Sequence, residues 1–215
     1  EHLFHQAQEE LSSHRGFDPG AFELFNLLHE EIPSKSIYSS ISRLLVELNR
    51  SPHHPDLFSE FTKPLSDIQK KELLVDFYYP YRNKLTEIIR KQIRSKGHVL
   101  HISVHSFTPQ LNGQIREADI GLLYDPSRFY ELNFCSEWKK EISSGYPSIR
   151  VRKNYPYLGK ADGLTTFLRR IFSEDEYIGI ELEVNQKLLV QKKSPTNIGS
   201  SLIQALKSLL RNRFR

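Results

Sequence analysis

The stretch HISVHSFTP, residues 101–109, sets His101, Ser103 and His105 against Ile102 and Val104 in strict alternation. That is the period of a β-strand, with the polar groups on one face. An imidazole at a strand end can face a crevice and bind zinc through one ring nitrogen; the alternative is a hydrogen-bonded structural histidine. His101, deeper in the same strand, reads as structural or as support behind a ligand. A second apolar stretch, YIGIELEVNQ (177–186), carries Glu181 and Glu183 on one face. Carboxylates side by side in a buried place repel, which raises one of them toward the range of a general base; the alternative is that this face meets solvent. Asn185 and Gln186 follow and could orient a water or an amide. Arg43, Arg50 and Arg116 offer planar guanidinium forks suited to a carboxylate. Asp18, in FDPGA, reads first as the N-cap of a helix that Pro19 opens. The short GKADG (159–163) is too short and wrongly spaced to cradle a phosphate.

Those groups need a scaffold, and the pattern around them supplies one. Ala21, Leu24, Phe25 and Leu28 form a helical stripe after Asp18. Leu44–Leu48 looks strand-like, with Asn49 and Arg50 just beyond it, and SPHHPDLFSEFTKP is a proline-punctuated loop. Ser66 and Gln69 make a capping box that opens a helix running to about Lys96, which Pro80 must kink or split. Gly97 ends it, and a strand over 98–105 follows. Strands are then expected over 117–126, 148–154 and 177–186, and helices over 128–142, 163–172 and 198–213. Ile178, Ile180, Leu182 and Val184 should share one strand face, and Leu202, Leu206 and Leu209 should point inward. Alternating strands and helices predict an α/β fold: a three-layer α/β/α sandwich around a mixed, largely parallel sheet. Ligands of such sheets gather at the carboxyl ends of strands, where His105, Asn49, Arg50 and Glu183 all fall.

Composition narrows the classes. The chain has 215 residues, 38% hydrophobic and 26% charged, which is globular rather than disordered. No apolar run approaches a membrane span, and no signal-peptide pattern is expected from these residues. Thirty basic against 26 acidic residues leave a net +4, much of the excess in the closing KSLLRNRFR. There a helix end explains the cations, and neither a nucleic acid nor a membrane is expected as partner. The single Cys135 excludes an internal disulfide and fits a reducing, cytoplasmic setting.

Seven stretches in order resemble the N-formylglutamate amidohydrolase family: SSHRGFDPGA, SRLLVELNR, FYYPYR, HISVHSFTP, READIGLLYDPSR, NYPYLGKADG and GIELEVNQ. They run from about residue 12 to 186. The resemblance implies a phosphorylase/hydrolase-like fold, related to zinc carboxypeptidases and aspartoacylase-type enzymes. It implies a metal-dependent amidohydrolase that cleaves an N-acyl amino acid such as N-formylglutamate with a zinc-activated water. Zn2+ or another divalent metal is the implied cofactor, with His105 and Asp18 as ligands. Glu183 is the implied general base, and Arg43, Asn49, Arg50 and Arg116 the implied holders of the substrate carboxylate. The family pattern also has a first strand ending in a histidine ligand, whereas only Glu1 and His2 precede LFHQAQEELSSHRGFD here. Residues 1–215 are therefore expected to form a single amidohydrolase-like domain whose first strand and histidine ligand belong to sequence upstream of Glu1, with His2 or His14 filling the gap as the alternative. A metal-free binding protein of the same fold is the alternative expectation.

Overall fold

The computed structural model describes residues 2–190 and 198–213. Short helix α1 (Gln8–Leu11) precedes α2 (Ala21–Glu31), and a long irregular segment leads to α3 (Asp67–Leu73). One π-helical turn, Leu74–Tyr78, joins α3 to α4 (Tyr79–Lys96). Pro80, in the first turn of α4, thus splits the long helix, because its missing N–H is harmless only there. The Ser66–Gln69 capping box is present in full. Next come β1 (Val99–Phe107), a hairpin of β2 (Gln110–Leu111) and β3 (Gln114–Ile115), and β4 (Ile120–Leu123). Then α5 (Phe129–Gly145), β5 (Val151–Lys153), α6 (Leu164–Ile171), β6 (Tyr177–Asn185), α7 (Gln186–Val190) and α8 (Ile198–Arg213) complete the order.

The main sheet runs β1-β6-β4-β5. β1 and β6 are parallel, as are β4 and β5, while β4 meets β6 antiparallel. The sheet is therefore mixed and largely parallel, flanked by helices, as the alternation predicts. Its two faces differ in kind. Ile180, Leu182 and Val184 are fully buried against Leu24 and Leu28 of α2, Phe134, Trp138 and Ile142 of α5, and Leu202, Leu206 and Leu209 of α8. On the other face, Val99 and Tyr177 are covered by Leu85 and Ile89 of α4 and Leu164 and Leu168 of α6. That apolar cover extends only over the amino end of this face. The carboxyl end is left to His105 and Glu183, which pair in register, as do Ser103 and Glu181.

Three local expectations fail, each for a physical reason. Leu44–Leu48 is no strand. Leu44 and Val46 are buried, which gives the strand-like alternation, but turns close at Leu45 and Arg50, and among the described residues the stretch makes a single backbone–backbone bond across, from Glu47 N to Leu57 O at 2.9 Å. β1 does not stop at His105: Ser106 and Phe107 continue it opposite Val184 and Asn185. Asp18 does not cap α2, whose first flanking residue is Gly20 in the left-handed region with no side-chain cap. Among the described residues no helix is long and apolar enough to cross a membrane.

Candidate active site

The site assembles where β1 and β6 end. A parallel register brings His105 beside Glu183, both on the face that α4 and α6 leave uncovered. Released from capping, Asp18 turns its carboxylate toward them. His105 Nδ1 lies 2.8 Å from Asp18 Oδ2, and His105 Nε2 lies 3.0 Å from Ser103 Oγ. The other Asp18 oxygen, Oδ1, pairs with Arg43 Nη2 at 3.2 Å, and Arg43 Nε reaches Glu47 Oε2 at 3.1 Å. Pro19 O accepts from Ser106 Oγ at 2.8 Å, which ties the Asp18 turn to the end of β1.

Glu183 is the chemically unusual member. It is buried, and its Oε2 has no hydrogen-bond partner among the described residues. Burial raises its carboxyl to about 8; Asp18 and Glu181 push the same way, while the charges of His105 and Arg43 oppose them. For His105 desolvation works against the charged form, yet the Asp18 hydrogen bond and charge, then Glu183 and Glu181, raise the imidazole to about 9. Desolvation acts against the Asp18 carboxylate as well, but its bond to His105 and the charges of His105 and Arg43 leave it below its ordinary value. Burial and the neighbouring carboxylates thus favour the protonated form of Glu183, and the contact with Asp18 favours the protonated form of His105.

The neighbouring Glu181 is held differently. Its Oε1 accepts from Thr165 Oγ1 at 2.5 Å, at the start of α6. Asn49 supports that start, its Oδ1 accepting from Leu164 N at 2.8 Å. Arg50 donates to Asp162 O at 3.0 Å, and its own carbonyl receives Tyr78 OH at 2.7 Å. Asn49 and Arg50 thus brace the loop that delivers α6, and their side chains are already engaged. Arg43 is engaged by two carboxylates. Arg116 differs from these three in bonding only to hydroxyls: its Nη1 donates to Tyr157 OH at 3.1 Å and to Thr108 Oγ1 at 3.3 Å.

Tyr157 belongs to this site although its motif alone did not single it out. Gly121 of β4 pairs with Glu183, and a Cβ on Gly121 would lie 1.9 Å from Tyr155 O. The absent side chain lets the 154–159 turn lie directly on the sheet beside Glu183. Asn154 Oδ1 fixes that turn by accepting from Tyr124 N and Gly159 N, both at 3.0 Å. A second feature outside the expectations is the β2–β3 hairpin, whose Asn112-Gly113 tip has positive φ at both residues. The Asn-Gly pair between Leu111 and Gln114 was its sequence signal.

A catalytic zinc takes three protein ligands and leaves a position for water. His105 and Asp18 supply an imidazole and a carboxylate, donors of the right chemistry, but they hydrogen-bond each other. No group of three His, Cys, Asp or Glu residues poised for a metal occurs among the described residues. His14 is exposed and joins no such group, and the side chain of His2 lies outside the described residues. The donor set visible here is one ligand short of a complete zinc site.

A family model described as N-formylglutamate amidohydrolase matches residues 1–190. Among solved structures, the chain is similar to gene product Atu2144 from Agrobacterium tumefaciens. That likeness has 26% identity and a TM-score of 0.81, over 96% of this chain and 82% of that one. It is also similar to the N-formylglutamate amidohydrolase from Ralstonia eutropha JMP134, at 15% identity and a TM-score of 0.67, over 90% of this chain and 82% of that one, which bears on the fold alone. No curated protein matches the chain.

Proposed function

This chain belongs to the N-formylglutamate amidohydrolase family, and from that premise we propose that it hydrolyses the amide bond of an N-acyl amino acid such as N-formylglutamate. The observation that carries the reading is Glu183: a buried carboxyl with an unpartnered Oε2, raised to about 8, beside the His105–Asp18 pair at the strand ends. A carboxyl poised near neutrality can take a proton and return it within one turnover. In the proposed reaction Glu183 takes a proton from the attacking water as its oxygen bonds to the acyl carbon. It then passes that proton to the amine nitrogen as the C–N bond breaks, releasing the carboxylic acid, formate for a formyl group, and the free amino acid. Glu183 works through Oε2, and its proton affinity is the property the reaction needs.

The proposal extends to a divalent metal, zinc or another, held in part by His105 and Asp18. When bound it would polarise the acyl oxygen and acidify the water. The described residues do not complete such a site, so no step is assigned to it. Arg43, Asn49, Arg50 and Arg116 are proposed to serve the substrate in two ways: Arg116 by direct contact, the other three by holding the walls around it. A cytoplasmic setting is part of the proposal, supported by the single cysteine of the sequence, Cys135.

One observation favours a second reading, a metal-free module that binds the same small molecule without turnover: the His105–Asp18 pair is closed on itself at 2.8 Å. Formate release from N-formylglutamate, measured with and without added zinc or cobalt, separates the two. Release that disappears in Glu183→Gln supports the hydrolase. No release from any of a panel of N-acyl amino acids, together with metal-free protein by elemental analysis, supports the binding module.

A further inference from the structure

Of the four side chains proposed to serve the substrate carboxylate, three are already committed inside the protein. Arg43 carries Asp18 and Glu47, Asn49 caps Leu164 N, and Arg50 holds Asp162 O. Arg116 alone of the four makes its described side-chain bonds only to hydroxyls, to no carboxylate and no backbone group. Its described hydrogen bonds use only Nη1, and both acceptors are hydroxyl oxygens. A guanidinium has five N–H donors, so the outer edge of its fork remains to be used. The ring faces of Tyr157 and Phe107 flank it, with centroids at 5.1 and 6.0 Å. Aromatic faces stabilise a cation without neutralising it, which keeps the charge directed at an incoming anion.

The backbone around this pair is firmly held. Arg116 N donates to Pro109 O at 2.8 Å, and Asn185 Nδ2 donates to Arg116 O at 3.2 Å. Arg116 is thereby fixed to the carboxyl ends of β1 and β6. Tyr157 is fixed from the other side by the Asn154 bonds, and its phenol is close enough to Arg43 to act on it electrostatically. Tyr157 accepts from Arg116, which leaves its own O–H proton free to donate.

We propose that Tyr157 is a specificity-determining residue, which together with Arg116 anchors a carboxylate of the substrate: the Tyr157 hydroxyl donates to one carboxylate oxygen while Arg116 grips the anion with its remaining N–H groups. The proposal rests on the amidohydrolase reading for the identity of the substrate, but its core is a carboxylate site that exists whether or not turnover occurs. It also assigns Arg43 a different task, that of orienting Asp18.

The test is equilibrium binding by isothermal titration calorimetry to the full-length protein, with N-formyl-L-glutamate and its two mono-amides, N-formyl-L-glutamine and N-formyl-L-isoglutamine. In the wild type one mono-amide should bind about 10–100-fold more weakly than the acid, the scale of a charge-assisted hydrogen-bonded anchor, and which one identifies the carboxylate held. Tyr157→Phe should weaken the acid about tenfold and leave that amide nearly unchanged, so the preference shrinks. Arg116→Gln should abolish the preference, and Arg116→Lys, which keeps the charge without the fork, should fall between. Arg152→Gln, removing a guanidinium stacked on Tyr155 at 4.9 Å, should leave the preference intact. In turnover Tyr157→Phe should raise KM about tenfold with kcat within twofold. If Tyr157→Phe fails to fold, Arg116→Lys carries the same comparison. No carboxylate preference in the wild type, or equal losses for acid and amide in the variants, overturns the proposal. A preference seen without formate release would sink the hydrolase reading and leave this one standing; normal hydrolysis with unaltered preference in both variants does the reverse.

Discussion

Each end of the β1–β6 pair has a histidine and a buried glutamate beside it, and the two sets are treated in opposite ways. At the amino end, His101 Nδ1 meets Tyr177 OH at 2.8 Å under the cover of α4 and α6. Beneath the neighbouring Gly179 lies the fully buried Glu131, which accepts from Arg169 Nε at 2.9 and 3.1 Å, Gly179 N at 3.1 Å and Asp125 N at 2.9 Å. Arg169 in turn donates to Gly159 O at 2.6 Å and Gly179 O at 2.8 Å. At the carboxyl end, His105 and Glu183 face each other with one carboxylate oxygen unpartnered. Burial with every lone pair occupied locks architecture in place, whereas burial with a lone pair unspent leaves chemistry to be done. The two histidines say the same in charge. Burial, then the charges of His105 and Arg169, lower His101 to about 4, while Asp18 overcomes burial to raise His105 to about 9.

The sharpest way to break this contrast is to neutralise each glutamate. Glu183→Gln should cut formate release by about 10²–10⁴-fold, the range of a lost general base. Its melting temperature should hold or rise, because a costly buried acid is gone. Glu131→Gln should do the opposite. Leaving Arg169 buried without its counter-ion costs about 3–5 kcal/mol, which lowers the melting temperature by roughly 10 °C in a chain of this size. Activity per folded molecule should persist. Comparable stability losses in both variants would erase the distinction between the two ends.

Acid sharpens the same contrast at the level of the histidines. Folded His101 titrates at about 4, below its ordinary 6.5, so the folded state binds fewer protons than the unfolded one between those values. Its contribution is intact above pH 6.5 and is lost as pH falls toward 4, a loss of up to about 3 kcal/mol. Urea unfolding at pH 7, 5.5 and 4.5 should show that loss, and His101→Asn should flatten it. A variant with the wild-type pH slope would show that other groups cause the acid sensitivity.

Much of this was legible before any coordinates. β1, β6 and α8 declare themselves through period, and the Ser66 box and Pro80 mark how the long helix opens and breaks. Residues that share a strand face and a strand end can be placed near one another from pattern alone, and His105 and Glu183 are such a pair. Other features depend on tertiary placement that no local pattern encodes. Asp18 in FDPGA looks like a helix cap because the same residue types serve both tasks; only the turn through Gly20 shows its carboxylate leaving the helix. Leu44–Leu48 alternates like a strand because a loop packed on a core also buries every second residue. Tyr157 needed the close approach of Tyr155 O to Gly121 before it had a location at all.

The smallest expected effect tests where one end passes into the other. Thr165 stands between them: it is buried at the start of α6, and its hydroxyl donates to Glu181, two residues from Glu183 along β6. Thr165→Val keeps the shape and removes the donor, so Glu181 loses a partner at a cost of about 1 kcal/mol. If Glu181 belongs with the locked amino end, the whole effect is a melting temperature lower by roughly 2–4 °C, with kcat and KM unchanged. If it belongs with the reactive end, the released carboxylate also disturbs its neighbours, because its charge acts on both Glu183 and His105. The arrangement favours the second outcome, a two- to threefold fall in kcat beside the small loss of stability. Parallel thermal melts and formate assays on this one variant therefore locate the border between scaffold and site to within a single residue pair.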